Sequence, residues 1–174
     1  MRSFLDRTYL GAAWISAFVI LAIACLVSAQ VLLNFLTRTF ALPLPSTIPS
    51  YADFSGFMLA AATFLAMPYT FRSGGHIRVS LVTARLAPRA RFVAEIFALG
   101  AGAVLVGYAC VYIVALIHES WHFGDVSSGI VPVPLWLPQS VMGLGMGLLL
   151  VAIVDTGLQT WARGAPVIEN TEEI

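Results

Sequence analysis

Four long stretches without a charged residue constrain the fold of this chain more than any other feature. They are residues 8–37, 54–71, 96–118 and 126–154, and they hold 30, 18, 23 and 29 residues. A helix needs about 20 mostly apolar residues to cross the ~30 Å hydrocarbon core of a bilayer. Each stretch therefore predicts one spanning helix, because lipid cannot satisfy exposed backbone groups and so few strands cannot close a barrel. The predicted spans are 9–36, 52–71, 92–117 and 135–161.

The composition supports the same fold class. Apolar residues make up 59% of the chain and charged residues only 10%, against roughly 25% charged in soluble domains. We therefore expect an all-α integral membrane protein. Residues 1–163 should form a single transmembrane domain, and the polar tail 164–174 should be disordered. The formal net charge is zero, which gives no reason to expect a nucleic-acid partner.

The arginines predict the orientation of the four spans. All nine basic residues are arginine, and five of them lie in the acid-free segment between spans two and three. Together with the arginines near the two termini, eight face one side of the membrane and only Arg38 faces the other. The positive-inside rule makes the arginine-rich side cytoplasmic, so both termini are expected in the cytoplasm.

A sequence near the N-terminus resembles a signal-peptide cleavage site. The segment VSAQ follows a short charged stretch and an apolar run. In a signal peptide, small residues in this position mark the cleavage site. However, the apolar run continues to Leu36, which exceeds the 7–15 residues of a usual signal core. We therefore expect the first span to stay uncleaved.

The pentapeptide HESWH, residues 118–122, matches the H-E-x-x-H pattern of zinc metalloproteases. His118 and His122 would bind the metal and Glu119 would act as the base, but a catalytic zinc needs three protein ligands. In the predicted topology His76 lies across the membrane, and Asp155 lies ~30 Å of helix away. We therefore expect a polar and aromatic collar at the outer interface, with no metal, cofactor or catalytic residues. The protease remains the enzyme alternative.

The segment HIRVSLVTARLAP, between spans two and three, predicts a short interfacial helix. Arg78, Arg85 and Arg89, the last just after the segment, fall on a narrow stripe at 100° per residue, and apolar residues cover the rest. Such a helix lies in the membrane surface while its arginines reach headgroups. Its first residues also alternate as a strand does, but no second strand is at hand to pair with. Before this segment, Gly74 and Gly75 allow a sharp turn.

Three further features concern charge and packing. Asp53 opens span two, where it could favour the positive end of the helix dipole or contact a partner protein. Asp155 lies at the inner end of span four, where Arg163 could neutralise it. Gly143 and Gly147 lie four residues apart, a spacing that lets helices pack closely.

No ionisable residue lies deep within any span. Ionisable groups inside spans usually mark ion paths or proton relays, and the spans also lack the paired helix breaks of transporter sites. The chain therefore has no evident means of holding a charged solute alone. We expect a four-helix scaffold that works with a partner.

The segments ADFSGFMLAAATFLAMPYTFRSGGHIRVSLVTARLAPRAR and ESWHFGDVSSGIVPVPLWLPQSVMGLGMGLLL resemble a known family. They are similar to the small membrane subunit, DctQ-like, of tripartite ATP-independent periplasmic (TRAP) transporters. Asp53 stands where that family usually has glutamate. Ser73, Gly75 and Ser80 depart from its common arginine, acid and aspartate. The residues that match the loop and the start of span four are Arg72, Gly74, His76, Ile77, Val79, Pro134 and Trp136.

This resemblance implies a function. It implies a subunit of the bacterial inner membrane that pairs with a large permease subunit, while a periplasmic binding protein delivers an organic acid and a sodium gradient drives uptake. The large subunit would carry the substrate and sodium sites, and the small one would brace it. Arg72, Gly74, His76 and Arg78 would shape the loop and its permease contact, unless the arginines only bind anionic lipid. The alternative transporter is the small subunit of a tripartite tricarboxylate system.

Overall fold

A computed structural model describes residues 2–40, 45–75 and 87–164. This part of the chain contains four helices: α1 (Arg2–Phe40), α2 (Tyr51–Arg72), α3 (Pro88–Phe123) and α4 (Trp136–Arg163). Each is long and apolar enough to cross a membrane. The predicted fold class is thus confirmed. Outside the helices, the described residues hold one isolated antiparallel bridge, between Val126 and Pro134.

The helices run further than the predicted spans, because a helix ends at a local stop signal and not at the edge of the hydrocarbon. Pro88 starts α3 at a position where its missing N–H costs nothing. Gly124 and Gly164 end α3 and α4 in the left-handed conformation, with φ of 69° and 66°. Of the predicted interfacial segment, residues 76–86 lie outside the described ranges, whereas Pro88 and Arg89, expected at its end, belong to α3. Residues 165–174 also lie outside the described ranges. The division into a domain and a tail stays a prediction.

The helices pack in the order α1, α2, α4, α3. The main contacts are α1 with α2, α2 with α4, and α4 with α3, so α1 and α3 are the end helices of the series. The buried core is small: Leu99 of α3 packs with Leu149 and Ile153 of α4, and Met67 and Phe71 of α2 border them. Most large apolar side chains therefore remain on the outer surfaces of the helices.

Helices α2 and α4 approach each other closely at Gly145. Gly145 lies directly against the backbone of Phe64, and a side-chain carbon at Gly145 would overlap the Phe64 carbonyl. The predicted pair, Gly143 and Gly147, does not form one packing surface. Gly143 faces Ile117 of α3, whereas Gly147 has open space around it. The close contact is made by the glycine between them, because a helix presents residues two apart to different sides.

A polar contact joins α1 to α2. The hydroxyl of Ser16, which is buried, donates a hydrogen bond of 2.7 Å to the carbonyl of Ala62. Small polar residues at such crossings let two backbones approach and satisfy the hydroxyl within the protein. Helices α1, α2 and α4 are thus held by small residues and not by a large apolar core.

Candidate functional site

Arg72 is the centre of a polar cluster at one end of the helices. It is the last residue of α2, and its guanidinium contacts both neighbouring helices, α1 and α4. It donates to the Thr156 hydroxyl at 3.1 Å and to the Gln159 side-chain oxygen at 3.4 Å, both on α4. It also donates to the Asp6 carboxylate of α1 at 3.3 Å. One side chain therefore ties α1, α2 and α4 together. We call Asp6, Arg72, Asp155, Thr156 and Gln159 the Arg72 cluster.

Asp155 belongs to the same cluster, so its partner is Arg72 and not Arg163 as expected. Its carboxylate lies 3.7 Å from the Arg72 guanidinium and accepts a hydrogen bond of 2.5 Å from the Gln159 amide. The expected partner, Arg163, forms no ion pair with it among the described residues and is exposed. Arg163 lies eight residues further along the same helix, ~12 Å away along the axis. Arg72 reaches Asp155 because α2 packs against α4.

Two buried hydroxyls belong to the same end of the helices. Thr160 of α4 and Tyr9 of α1 are almost fully buried, and their hydroxyls have no hydrogen-bond partner within the described ranges. Thr156, Gln159 and Thr160 are all buried and recur at helical spacing. The last turns of α4 therefore bury a polar face, where apolar contact would be expected of a simple membrane span.

The turn after Arg72 requires a glycine. The Gly74 N–H donates to the Phe71 carbonyl at 3.3 Å and the Gly75 N–H donates to the Thr70 carbonyl at 2.9 Å. This is the Schellman motif, which needs a left-handed residue just after the helix. Gly74 has φ of 74° and fills that position without strain. The turn fixes the direction in which the chain leaves α2.

The rest of the predicted loop motif follows that turn directly. Of its six residues, the structure places Arg72 at the end of α2 and Gly74 in the turn. His76, Ile77, Arg78 and Val79 lie outside the described residues, so their predicted partner contact is untested.

Asp53 lies in a second polar cluster, at the opposite end of α2. It stands in the first turn of that helix, where a carboxylate favours the positive end of the dipole. Its carboxylate contacts Gly129, where a side-chain carbon would overlap it. Next to it, the Ser50 hydroxyl accepts a hydrogen bond of 2.9 Å from the Val131 N–H. The start of α2 is thereby held against the segment between α3 and α4.

That segment, residues 124–135, folds back on itself as a short hairpin. The Ser127 N–H donates to the Val133 carbonyl and the Leu135 N–H to the Asp125 carbonyl, both at 2.9 Å. Pro134 lies in the isolated bridge with Val126. The fold thus places Asp53 and Pro134 at the same end of the helices.

Trp136 begins α4 at this end. Its ring packs edge-on against Trp121 of α3, with 4.7 Å between centroids.

Gln30 of α1 contacts the segment before α2. Its buried amide accepts a hydrogen bond of 2.7 Å from the Ile48 N–H and donates to the Ser46 carbonyl at 3.3 Å. Contacts therefore fix the helix ends here as well as at the Arg72 cluster.

His118 and His122 lie near the end of α3 and both are exposed. Their rings are parallel, with centroids 6.2 Å apart, as expected for residues one helical turn apart. Across the described ranges, no group of three His, Cys, Asp or Glu side chains could hold a metal ion. A catalytic zinc would need such a group. Asp155, the distant carboxylate of the metalloprotease alternative, pairs with Arg72.

Sequence reasoning did not find most of the Arg72 cluster. Asp155 is predicted to face Arg163 at the inner membrane surface, and hydropathy does not distinguish Asp6, Thr156 or Gln159 from their neighbours. One signal was available: the segment DTGLQT places four polar residues at helical spacing within an otherwise apolar span. Such a polar stripe indicates a face that packs on protein.

Comparison with known families matches most of the chain. The family model described as the DctQ component of tripartite ATP-independent periplasmic transporters matches residues 23–163. The matched range takes in the turn after Arg72, the Asp53 end of α2 and the start of α4. No curated protein and no solved structure matches the chain.

Proposed function

The chain belongs to the DctQ family and is a small permease subunit of a TRAP transporter, and we propose that it braces the large permease subunit without catalytic activity of its own. It is a multi-pass protein of the inner membrane. We further propose that the complete system takes up organic acids with a sodium gradient. A periplasmic binding protein delivers the solute, and the large subunit holds the substrate and sodium sites.

The distribution of charge is the observation that carries the bracing role. Each helix has a long charge-free stretch, and the ionised groups of the Arg72 cluster satisfy one another at one end. A membrane protein that moves a charged solute needs ionisable or unwound elements at mid-depth. The helices of this protein instead present many exposed large apolar side chains, which suit contact with lipid and with another membrane protein.

The rigid links between helices support the same role. Arg72 joins three helices, the Ser50–Val131 hydrogen bond joins α2 to the hairpin, and Gly145 brings α2 against α4. A subunit that buttresses a moving partner should itself stay in one arrangement. Polar links at both ends of the helices favour a static body.

The orientation of the subunit is part of the proposal. Both termini and the Arg72 end should face the cytoplasm, and the Asp53 end should face the periplasm, because eight of nine arginines would then be cytoplasmic. Single cysteines placed at Ser3 and at Ser128 should differ in labelling by an impermeant maleimide on intact spheroplasts. Labelling at position 128 is expected; labelling at position 3 instead would reverse the topology.

The predicted contact residues also remain a proposal. On the cytoplasmic side these are Arg72, Gly74, His76, Ile77, Arg78 and Val79, and on the periplasmic side Asp53, Pro134 and Trp136. Because Arg72 already holds the helices together, His76→Ala and Arg78→Glu are the cleaner tests, with the exposed Arg163→Glu as a charge control. Loss of co-purification with the large permease in the first two alone would support a loop contact. If both variants keep the full complex and full uptake, the loop only connects α2 to α3 and makes no contact that the function needs.

Reconstitution tests the function as a whole. Proteoliposomes with both membrane subunits, the binding protein and an inward sodium gradient should accumulate a C4-dicarboxylate or another organic acid. Vesicles that contain this subunit alone should not. Transport of an organic anion by this chain by itself would overturn the bracing role, and a large permease that works fully without it would do the same.

A further inference from the structure

The outward face of α3 carries a regular exposed seam. The α3 seam follows the alternating four- and three-residue spacing by which two helices pack side by side. It consists of Phe97, Ala101, Val104, Tyr108, Val111 and Ala115, all of them exposed. The opposite face of α3 packs on α4, through Leu99 and Val106. Since α3 is an end helix of the series, no described helix covers the seam.

Two tyrosines distinguish this seam from a surface made for lipid. Tyr108 lies on the seam and Tyr112 lies one helical turn further on, with ring centroids 4.5 Å apart. Both are exposed, by 63% and 59%. The charge-free part of α3 is residues 96–118, so Tyr108 lies one residue from its midpoint. Tyrosines that face lipid gather at the membrane surface, where their hydroxyls reach water.

The tyrosine hydroxyls have a hydrogen-bonding requirement that lipid cannot meet. A hydrogen bond between the two neighbouring hydroxyls would use only one of their two protons. The second hydroxyl proton is left for an acceptor outside the pair. Hydrocarbon offers no acceptor, and an unsatisfied polar group there is costly. A polar group of another membrane protein at the same depth would supply that acceptor.

The other exposed helix faces lack this feature. At similar depth α1 exposes Leu21 and α4 exposes Leu144 and Val151, which are aliphatic and need no partner. The third exposed tyrosine, Tyr69, lies near the end of α2, at the depth usual for tyrosine. The small side chains of Ala101 and Ala115 also leave room in the seam, so the backbone of a second helix could approach closely there.

We infer that the α3 seam is the docking surface for a transmembrane helix of the large permease subunit, and that this helix offers a hydrogen-bond acceptor to the Tyr108–Tyr112 pair. The inference rests on the proposed function, which supplies a large membrane partner. It adds that α3 is the helix that faces this partner and that the two tyrosines donate a hydrogen bond to it.

Photocrosslinking in the complete transporter tests the seam. A benzoylphenylalanine placed at Tyr108 should form an adduct with the large permease, whereas the same group at Leu21 should give none above background. Leu21 is a matched control because it has similar exposure, 60%, near the middle of the charge-free stretch of α1. An adduct at position 108 with a second copy of this chain, or with lipid alone, would overturn the inference.

A packing variant gives a second readout. Ala101→Phe should reduce the large permease recovered with the subunit by about tenfold, because overpacking disturbs a close interface, while Leu21→Phe should leave recovery unchanged. The Tyr108→Phe, Tyr112→Phe double variant keeps the shape and should reduce recovery about threefold, as expected for a lost interhelical hydrogen bond. Equal recovery for all variants would overturn the seam and leave the proposed function intact. Failure of the unmodified chain to bind the large permease would overturn both.

Discussion

The guanidinium of Arg72 and the hydroxyl of Thr156 form a hydrogen bond of 3.1 Å, although 84 residues separate them in sequence. It joins the last residue of α2 to the penultimate turns of α4. The same guanidinium pairs with carboxylates on both flanking helices, so one arginine links three helices.

Replacing Arg72 should destabilise the fold. Arg72→Leu removes the partner of Asp155, whose side chain is only 23% exposed. A partly buried carboxylate left unpaired should lower the free energy of unfolding by about 2 kcal/mol, less than for a fully buried pair. Unfolding in mixed detergent micelles, followed by tryptophan fluorescence, measures this value. The exposed Arg163→Leu serves as the control and should change it by less than about 0.5 kcal/mol. Equal effects would show that the cluster is not structural.

Gly145 should tolerate no side chain. A Gly145→Ala variant places a carbon against the Phe64 carbonyl, and backbone cannot move aside as a flexible side chain can. We expect a loss of about 2 kcal/mol in unfolding free energy. Gly147→Ala, with open space around it, should be neutral or slightly stabilising, because alanine favours a helix more than glycine does. If the two variants unfold alike, the close approach of α2 and α4 is not as described.

Gly74 should be required for its conformation. Gly74→Ala places a side chain at φ of 74° and should cost about 1 kcal/mol. Gly74→Asn should cost less, since asparagine tolerates the left-handed region better. Thermal unfolding of the purified variants in detergent tests the order. An alanine variant as stable as the asparagine variant would argue against the Schellman turn.

Asp53 and Gly129 should be energetically coupled. In Gly129→Ala, the new methyl group displaces the Asp53 carboxylate, and the contact between α2 and the hairpin should weaken. In an Asp53→Ala background the conflict with the carboxylate disappears and only that with the Ser50 hydroxyl remains, so the second substitution should cost less. A double-mutant cycle on unfolding free energy should give a coupling of about 1 kcal/mol. Strict additivity of the two substitutions would mean that the two residues do not touch.

His118 and His122 should not form a catalytic zinc site. The purified protein should contain well under one equivalent of zinc by elemental analysis, because two ligands alone cannot make a catalytic centre. His122→Ala should leave solute uptake by the complete transporter within about twofold, a small effect on the free-energy scale. Stoichiometric zinc that disappears in this variant would restore the metalloprotease alternative.

The number and placement of the helices could be predicted because charge is excluded from lipid. The four charge-free stretches sufficed for that. That HESWH forms no zinc site follows from ligand number and stays a prediction. The ends of the helices were harder to predict: Pro88, Gly124 and Gly164 set them, and these residues act outside the hydrocarbon.

The polar clusters could not be predicted from hydropathy. The partner of Asp155 depends on which helix lies beside α4, and periodicity within one helix does not contain that information. Gly145 could not be distinguished from its neighbours Gly143 and Gly147 for the same reason, since which glycine meets Phe64 depends on how α4 is rotated. Contacts between helices follow from packing, which a single sequence does not display.

The unequal lengths of the charge-free stretches affect the surrounding bilayer. The 18 residues in α2 span ~27 Å and the 30 in α1 span ~45 Å. A long apolar stretch such as that of α1 is accommodated by tilting or by local thickening of the bilayer, whereas the stretch in α2 matches a thin membrane. Because Arg72 closes the short helix, acyl-chain length sets how near its guanidinium comes to the headgroups, and long-chain lipids would draw that charge inward.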